Sequence, residues 1–156
     1  MRASEKGIEF IKSYEDISLH PYICPSGKPT IGWGNTFYED GTKVKMTDAP
    51  ISISRADRLF DAIILKFEID VTKLLTNKFL SQNQFDALVS FAYNCGIANL
   101  KSSTLLKKVN KFKDDKTIPL EFKKWVNSNG KPLNGLIDRR NKESDIYSKG
   151  VYVNHK

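Results

Sequence analysis

Three residues near the N-terminus carry side chains that can do chemistry at a spacing that one loop can bring together. Glu15 carries a carboxyl group that can donate a proton, Cys24 carries a thiol, and Thr30 carries a hydroxyl group. Nine and then six positions separate them, and three prolines and a glycine lie between the first and the last. We therefore expect any chemistry of this chain in this stretch, which is rich in turn residues.

The helical pattern before Glu15 predicts where its carboxyl group points. Ser4 can cap a helix that runs to about Tyr14, and Glu15 follows Ile8 by seven positions and Ile11 by four. These spacings put the carboxyl group on the apolar face of the helix, where partial loss of water favours the neutral acid. A glutamate held in a salt bridge at a helix end is the alternative interpretation.

Cys24 and Thr30 each have an ordinary structural interpretation as well. Free cysteine is one of the most buried residue types, and threonine is a common strand former. Thr30 and Trp33, however, flank a glycine-rich run where the backbone can approach a ligand closely.

The elements around these residues predict an α+β fold. The prolines and the glycine from 21 to 29 predict turns, and residues 30–46 predict two or three short strands with a hairpin turn at Asp40-Gly41. Ser54 with Asp57 predicts the start of a long helix, Ser81 with Gln84 a capping box, and Gly96 a helix end. Further helices are expected over residues 101–111, 119–127 and 135–148.

We predict one domain over residues 1–156. A small lobe of about 14–55 holds the hairpin sheet, and a long helix joins it to a helical lobe of about 56–156 that includes the N-terminal helix. The chain is long enough to bury a sizeable core, and no apolar stretch reaches the roughly 20 residues that a bilayer span needs. We expect a monomer that does not insert stably into membranes.

A formal charge of +7 favours an anionic partner such as nucleic acid, a membrane surface or an acidic cell wall. The lysines are scattered and the sequence has no recognised nucleic-acid motif, so we predict no nucleic-acid partner. Two cysteines and two histidines have no spacing typical of a metal site, and we predict neither a metal nor another cofactor.

The sequence resembles the phage-type lysozymes, glycoside hydrolase family 24. The resemblance rests on "YEDISLHPYICPSGKPTIGWGNT", on "QNQFDALVSFAYNCGIANLKSSTLLKKVN" and on "WVNSNGKPLNGLIDRRNKES", and so covers nearly the whole chain. Glu15, Cys24 and Thr30 match the catalytic Glu, Asp-or-Cys and Thr of that family. The resemblance implies a lysozyme-like fold and an endolysin that hydrolyses the β-1,4 bond between N-acetylmuramic acid and N-acetylglucosamine in peptidoglycan.

In this family Glu15 would protonate the leaving oxygen, and Cys24 and Thr30 would hold or activate the attacking water. Cys24 replaces a second carboxylate, so its role as base, nucleophile or stabiliser stays open. Tyr93 and Asn94 resemble cleft residues that contact the glycan, with helix-end packing as the alternative. Arg139 or Arg140 resembles the arginine that approaches the catalytic glutamate.

Three further points concern Asn35, the two cysteines and the release of the protein from the cytoplasm. Asn35 stands where many members carry histidine. Cys95 falls on the buried face of its helix, and a disulfide between Cys24 and Cys95 is a hypothesis. The family implies a phage or prophage protein that accumulates in the cytoplasm and acts on the wall after release by a holin.

Three other functions stay in competition with the muramidase. A lytic transglycosylase needs one Glu and would leave an anhydro product, and the missing carboxylate at Cys24 favours it. A catalytically inactive module would bind peptidoglycan without cleaving it. A cysteine hydrolase would need Cys24 and His20 to act together.

Overall fold

This computed structural model describes residues 1–155 of the chain. This part contains seven helices and four short strands. The helices are α1 (Glu5–Lys12), α2 (Ile53–Leu74), α3 (Gln82–Cys95), α4 (Ile97–Ser102), α5 (Thr104–Lys111), α6 (Ile118–Phe122) and α7 (Asn134–Lys149). The strands are β1 (Ser18–Ile23), β2 (Pro29–Gly32), β3 (Asn127–Ser128) and β4 (Lys131–Pro132).

The chain forms two compact units. The small unit is Lys12–Lys66, and the helical unit is Met1–Ile11 together with the chain from Phe67 onward. The boundary falls inside α2, which is therefore continuous with both units. Among the described residues, no helix is both long enough and apolar enough to span a bilayer.

The sheet of the small unit starts earlier than the sequence predicts. β1 pairs antiparallel with β2, with Tyr22 opposite Thr30 and Ile23 opposite Pro29, so Pro21 lies in a strand and not in a turn. The pairing slips between Ser18 and Tyr22. Proline is tolerated there because a two-stranded sheet has only edge strands, and an irregular register does not need the missing amide.

The rest of the small unit confirms one local prediction and corrects another. Asp40-Gly41 forms the expected turn, since Gly41 has a φ of +85° and the Asp40 carboxylate accepts from the Thr42 amide at 2.9 Å. The start of α2 is capped by Ser52 and not by Ser54, because the Arg55 amide donates to the Ser52 hydroxyl at 3.1 Å. The core of this unit is Ile31, Val44, Ile51, Ala56 and Leu59.

In the helical unit, α3 has the boundaries that its caps predict. Ser81 and Gln84 form a complete capping box, and Gly96 ends the helix with a φ of +96°. α7 packs against α3 and α6. The helix predicted over 101–111 is divided into α4 and α5, and the helix predicted over 119–127 is α6, which already ends at Phe122. The β3–β4 hairpin (residues 127–132) follows it.

Asp86, in the middle of α3, ties distant parts of the helical unit together. Its carboxylate accepts from the Ser4 amide at 2.9 Å, from the Ser4 hydroxyl, from Gln82 Nε2 at 2.9 Å and from the Tyr152 hydroxyl at 2.5 Å. Ser4 also caps α1, as predicted, because the Gly7 amide donates to its hydroxyl at 3.1 Å. One buried carboxylate thus holds the N-terminal segment, α3 and the C-terminal segment.

Candidate active site

Cys24 lies in the tight turn between β1 and β2. Its amide donates to the Lys28 carbonyl at 3.0 Å, and the Gly27 amide donates back to the Cys24 carbonyl at 2.8 Å. Gly27 has a φ of +84°, which few side chains allow, and so closes the turn. The turn leaves the thiol half-exposed and fixed in direction.

Three groups around the thiol favour its ionised form. The Cys24 sulfur lies 2.8 Å from the Ser26 hydroxyl, and the buried Thr30 hydroxyl donates to the Lys28 carbonyl at 2.9 Å. Hydrogen bonds from Ser26, then from Thr30 and the Lys28 amide, lower the pKa of Cys24 from 9.0 to about 6. A thiolate is therefore the main form at neutral pH, where an ordinary cysteine would be neutral.

Ser26 was not singled out from the sequence. It lies two residues after the cysteine in a proline-rich and glycine-rich loop, where serine is common for reasons of turn geometry. Only the folded turn brings its hydroxyl to the sulfur.

Glu15 follows α1, which ends at Lys12, and belongs to the same small unit. Its amide donates to the Lys12 carbonyl at 2.9 Å. A Cβ atom added to Gly34 would lie 3.6 Å from Glu15 Oε2, so the half-buried carboxyl group lies against bare backbone. Burial, then the charges of Cys24 and Glu15, raise the pKa of Tyr22, so both groups lie near that phenol. The three predicted catalytic residues are thus all in one unit.

Hydrogen bonds to Asp57 and Leu59 of α2 hold the glycine-rich run around Trp33 in place. Asp57 accepts from Lys12 Nζ at 3.0 Å and from Trp33 Nε1 at 2.9 Å, and Lys12 lies 5.0 Å from the centre of the Trp33 ring. Two residues later, the buried Asn35 donates to the Leu59 carbonyl at 3.2 Å. Asp57 is therefore an anchor for the run beside Glu15, and not a residue that completes a helix cap.

A groove of about 350 Å³ begins at this run. Gly34, Asn35 and Thr36 line one side, and Leu59, Ala62 and Ile63 of α2 line another. Because a Cβ atom on Gly34 would lie 3.6 Å from Glu15 Oε2, this glycine lies near the carboxyl group as well as lining the groove.

His20 is badly placed for a cysteine hydrolase. It lies on β1 and is exposed, four residues before Cys24, which corresponds to roughly 13 Å along an extended strand. An imidazole at that distance cannot take the proton of the thiol. We therefore set the cysteine hydrolase aside.

The other predicted site residues belong to the helical unit, at the end of α3. Tyr93 is half-buried, with its ring 5.4 Å from that of Phe67. Asn94 is exposed, and its side-chain oxygen accepts from Arg140 Nη2. Arg140 Nη1 also contacts the sulfur of Cys95, whose pKa is raised by burial.

Arg139 and Arg140 are both buried and share one carboxylate. Glu143, which is fully buried, lies 2.8 Å from Arg140 Nε and 3.3 Å from Arg139 Nε. The Ser90 hydroxyl also contacts it. Arg140 thereby orients Asn94, while the predicted approach of one arginine to Glu15 stays a prediction. Cys24 and Cys95 are both free thiols in this structure, so the disulfide of the hypothesis is not formed in it.

The pattern of the phage lysozyme family matches residues 12–143. The chain belongs to the phage lysozyme family. The endolysin of Bacillus phage B103 is 41% identical over 156 residues, 99% of this chain, and the endolysin of Acyrthosiphon pisum secondary endosymbiont phage 1 is 36% identical over 94% of this chain and 98% of its own. The solved endolysin from Escherichia coli O157:H7 phage FAHEc1 has a TM-score of 0.86 at 36% identity, covering 98% of this chain and 97% of that one.

These relatives differ in length. The chain spans 57% of the Bacillus phage B103 endolysin, so that protein is longer than the part that this chain matches. The predicted family, the lysozyme-like α+β fold and the lysozyme-type glycoside hydrolase class are confirmed at the level of the family. The roles of individual residues and the bond that is cleaved stay predictions.

Proposed function

We propose that the protein is an endolysin muramidase that hydrolyses the β-1,4 bond between N-acetylmuramic acid and N-acetylglucosamine in peptidoglycan. The observation that carries the proposal is the turn at Cys24, where the Ser26 hydroxyl lies 2.8 Å from the sulfur and hydrogen bonds lower the pKa of the thiol to about 6, in the small unit that also holds Glu15. The resulting thiolate supplies the negative charge of the missing second carboxylate.

Glu15 acts as the general acid. It protonates the oxygen of the glycosidic bond as that oxygen leaves the anomeric carbon, and positive charge develops on the sugar ring. Because Gly34 has no side chain, it leaves free the space next to the carboxyl group that a Cβ atom would occupy. A sugar at the mouth of the groove can then reach the proton.

The Cys24 thiolate and the Thr30 hydroxyl hold a water molecule for attack on the anomeric carbon. The thiolate takes one proton from that water, the oxygen bonds to carbon, and the product is a free reducing end. A base with a pKa of about 6 is mostly ionised at pH 7 and still able to accept a proton in the transition state. Tyr93 and Asn94 contact the glycan in this proposal.

We also infer how the enzyme reaches its substrate. It accumulates in the cytoplasm as a monomer, is released by a holin, and acts on the cell wall; the endolysin relatives support the site of action. Expression with and without a holin, and with chloroform in place of one, tests the release. Lysis without either agent would contradict it. Size-exclusion chromatography tests the monomer.

The proposed reaction is tested by clearing of purified peptidoglycan, with product masses taken from the same tubes. The variants are Glu15→Gln, Cys24→Ser and Cys24→Asp, and Asp16→Asn is the control because it removes a neighbouring, exposed carboxylate. We expect Glu15→Gln to abolish clearing, Cys24→Ser to lose most of it, and Cys24→Asp and Asp16→Asn to keep it.

The product masses and reducing ends from the same tubes distinguish the muramidase from the alternative functions. An anhydro product, lighter by one water, would show a lytic transglycosylase, which the absence of a second carboxylate at Cys24 favours. Pelleting of the protein with peptidoglycan and no new reducing ends would show a binding module. Clearing by Glu15→Gln at the wild-type rate would remove Glu15 as the acid.

A further inference from the structure

The net positive charge of the chain is confined to one part of it. The small unit carries seven Lys or Arg and seven Asp or Glu, so its formal charge is zero. Residues 73–131 of the helical unit carry eleven lysines and four acidic residues, a net charge equal to the +7 of the whole chain. Attraction to an anionic partner therefore arises from this segment and not from the small unit that carries Glu15 and Cys24.

Two phenylalanines in this segment are unusually exposed. Phe79 is 85% exposed and Phe112 is 60% exposed. Fully exposed phenylalanine is costly in water, because a buried ring of this size contributes about 1.5 to 3 kcal/mol. Single exposed apolar residues are common, so the argument depends on what surrounds these two.

The fold ties the chain segments that carry the two rings together at the C-terminal end of α5. Asn110 Oδ1 accepts from the Thr76 amide at 3.0 Å, and Asn110 Nδ2 donates to the Leu74 carbonyl at 3.0 Å. Phe112 comes two residues after Asn110, and Phe79 comes three residues after Thr76. The Asn110 side chain thus joins the loop that carries one ring to the helix end that carries the other.

Two lysines complete this surface. Leu105, Leu106 and Val109 form the buried face of α5, and Lys107 and Lys111 are exposed on the opposite face, one turn apart. Within the described chain neither lysine forms a salt bridge, in contrast to Lys108, which lies 2.9 Å from Glu121. The charge of Lys111 does act on Asp115, because hydrogen bonds from Thr117 and then the charges of Lys108 and Lys111 lower the pKa of that carboxyl group. We name Phe79, Lys107, Lys111 and Phe112 the basic aromatic patch.

We propose that the basic aromatic patch binds the surface of an anionic lipid bilayer. Lysines are attracted to phosphate headgroups, and a projecting phenyl ring can enter the headgroup region while the rest of the protein stays in water. Phe79 and Phe112 are 85% and 60% exposed, so their rings are open to solvent, and lysines neighbour both of them in the chain. Exposed rings beside cationic side chains favour insertion into a lipid surface over stacking in a glycan cleft.

Vesicle flotation tests the proposal on the intact protein. One set of vesicles contains equal parts of phosphatidylglycerol and phosphatidylcholine, and the other contains phosphatidylcholine alone. We expect binding to the anionic set only, with loss of binding in 0.5 M NaCl because salt screens the attraction within a few ångströms. Equal binding to both sets, or no binding to either, would overturn the proposal.

Two pairs of variants locate the binding surface. Lys107→Ala with Lys111→Ala should weaken binding at least tenfold, since each lysine near an anionic surface contributes roughly a fivefold change in affinity. Phe79→Ser with Phe112→Ser should weaken it to a similar extent. The controls are Lys43→Ala with Lys45→Ala, which remove the same charge from the small unit, and Ile53→Ser, which removes another exposed apolar side chain. Wild-type binding by the patch variants would exclude the patch.

A second measurement separates lipid from an anionic wall polymer. Pelleting with isolated cell walls is compared for the phenylalanine pair and the lysine pair. If the protein binds a wall polymer by charge alone, the lysine pair should pellet less than the wild type and the phenylalanine pair should pellet equally well. That result, together with no binding to vesicles, would contradict the lipid proposal and favour a wall polymer. Clearing of purified peptidoglycan at the wild-type rate by all variants shows that they are folded. Because vesicles contain no glycan, the outcome is independent of the muramidase proposal.

Discussion

Replacing Ser26 by alanine tests whether the turn, and not the cysteine alone, makes a thiolate available. The hydroxyl of Ser26 lies 2.8 Å from the Cys24 sulfur and is the largest cause of the lowered pKa of Cys24. Without it, the sulfur keeps the donors from Thr30 and from the backbone amides. We therefore expect the pKa of Cys24 in the variant to rise part of the way toward its ordinary value.

The size of the effect follows from the two limiting values. At pH 5 a thiol with a pKa of about 6 is about one-tenth ionised, whereas a thiol with a pKa of 9.0 is about one ten-thousandth ionised. Four hydrogen bonds share this roughly thousandfold difference, so an equal share is a factor of about five, and the Ser26 hydroxyl, as the largest cause, contributes at least that factor. A thiolate of higher pKa is also more nucleophilic, which reduces the expected minimum loss of alkylation rate to about 2.5-fold.

The assay is alkylation of Cys24 by iodoacetamide between pH 4 and pH 9, followed on the Cys24 peptide by mass spectrometry. Cys95 does not interfere, because its peptide is separate and burial raises its pKa. Lys28→Ala is the matched control, since the backbone amide of Lys28 and not its charge contributes to the pKa of Cys24. We expect a midpoint near pH 6 for the wild type and for Lys28→Ala, and a higher midpoint for Ser26→Ala.

Two results would refute this reasoning. A wild-type midpoint near pH 9 would mean that the turn does not lower the pKa of Cys24. Equal midpoints for Ser26→Ala and the wild type would remove the serine hydroxyl as the cause. If Cys24 is the base, peptidoglycan clearing falls as the pH drops through about 6, because the thiolate is then protonated, and this acid limb moves to higher pH in Ser26→Ala.

Three further substitutions test the packing around these sites by urea unfolding. Gly7→Ala, in helix α1, should lower the free energy of unfolding by about 1 to 3 kcal/mol although alanine favours helix, because its Cβ would lie 2.7 Å from Asp86 Cγ. Gly34→Ala should cost about 1 to 2 kcal/mol because the φ of Gly34 is +96°, and should reduce clearing further because the methyl group contacts Glu15. Glu143→Gln should cost about 3 to 5 kcal/mol because it leaves two buried arginines without their carboxylate.

Matched controls accompany these substitutions. Gly135→Ala, in the first turn of α7, meets no atom within 4 Å and should be neutral or stabilising. Asp138→Asn removes a carboxylate that is 41% exposed and pairs with Lys142 at 3.3 Å, and should change stability by less than about 1 kcal/mol. A loss in Gly135→Ala equal to that in Gly7→Ala would mean that the contact with Asp86 is not the cause.

The features that the sequence predicted correctly are those coded by neighbouring residues. The capping box at Ser81 and Gln84, the helix end at Gly96 and the turn at Asp40-Gly41 each depend on residues within four positions, so a local pattern is sufficient.

The features that the sequence missed depend on partners elsewhere in the chain. Pro21 lies in a strand because β2 pairs beside it with an irregular register, which no local rule contains. Asp57 had a plausible local role in a helix cap, but Lys12 and Trp33 compete for its carboxylate once the small unit has folded.

One property of the candidate active site could be predicted from the sequence, and another could not. The spacing of Glu15, Cys24 and Thr30 could be read from the sequence because the family pattern is local. The ionisation of the thiol could not, because it depends on the direction of the Ser26 hydroxyl and the Lys28 amide in the folded turn.

The hydrogen bonds of Asp86 also set an order of events during synthesis. Ser4 is made among the first residues, but its carboxylate partner follows 82 positions later and Tyr152 lies 66 positions beyond that carboxylate. At the usual translation rate of about 5 to 20 residues per second, roughly 4 to 16 s pass between the synthesis of Ser4 and that of Asp86. During that interval the whole of residues 12–66 is made, while Ser4 and Gly7 lack the Asp86 side chain that they contact in the folded protein. The small unit can therefore begin to fold on the ribosome while the first helix of the chain is still waiting to dock.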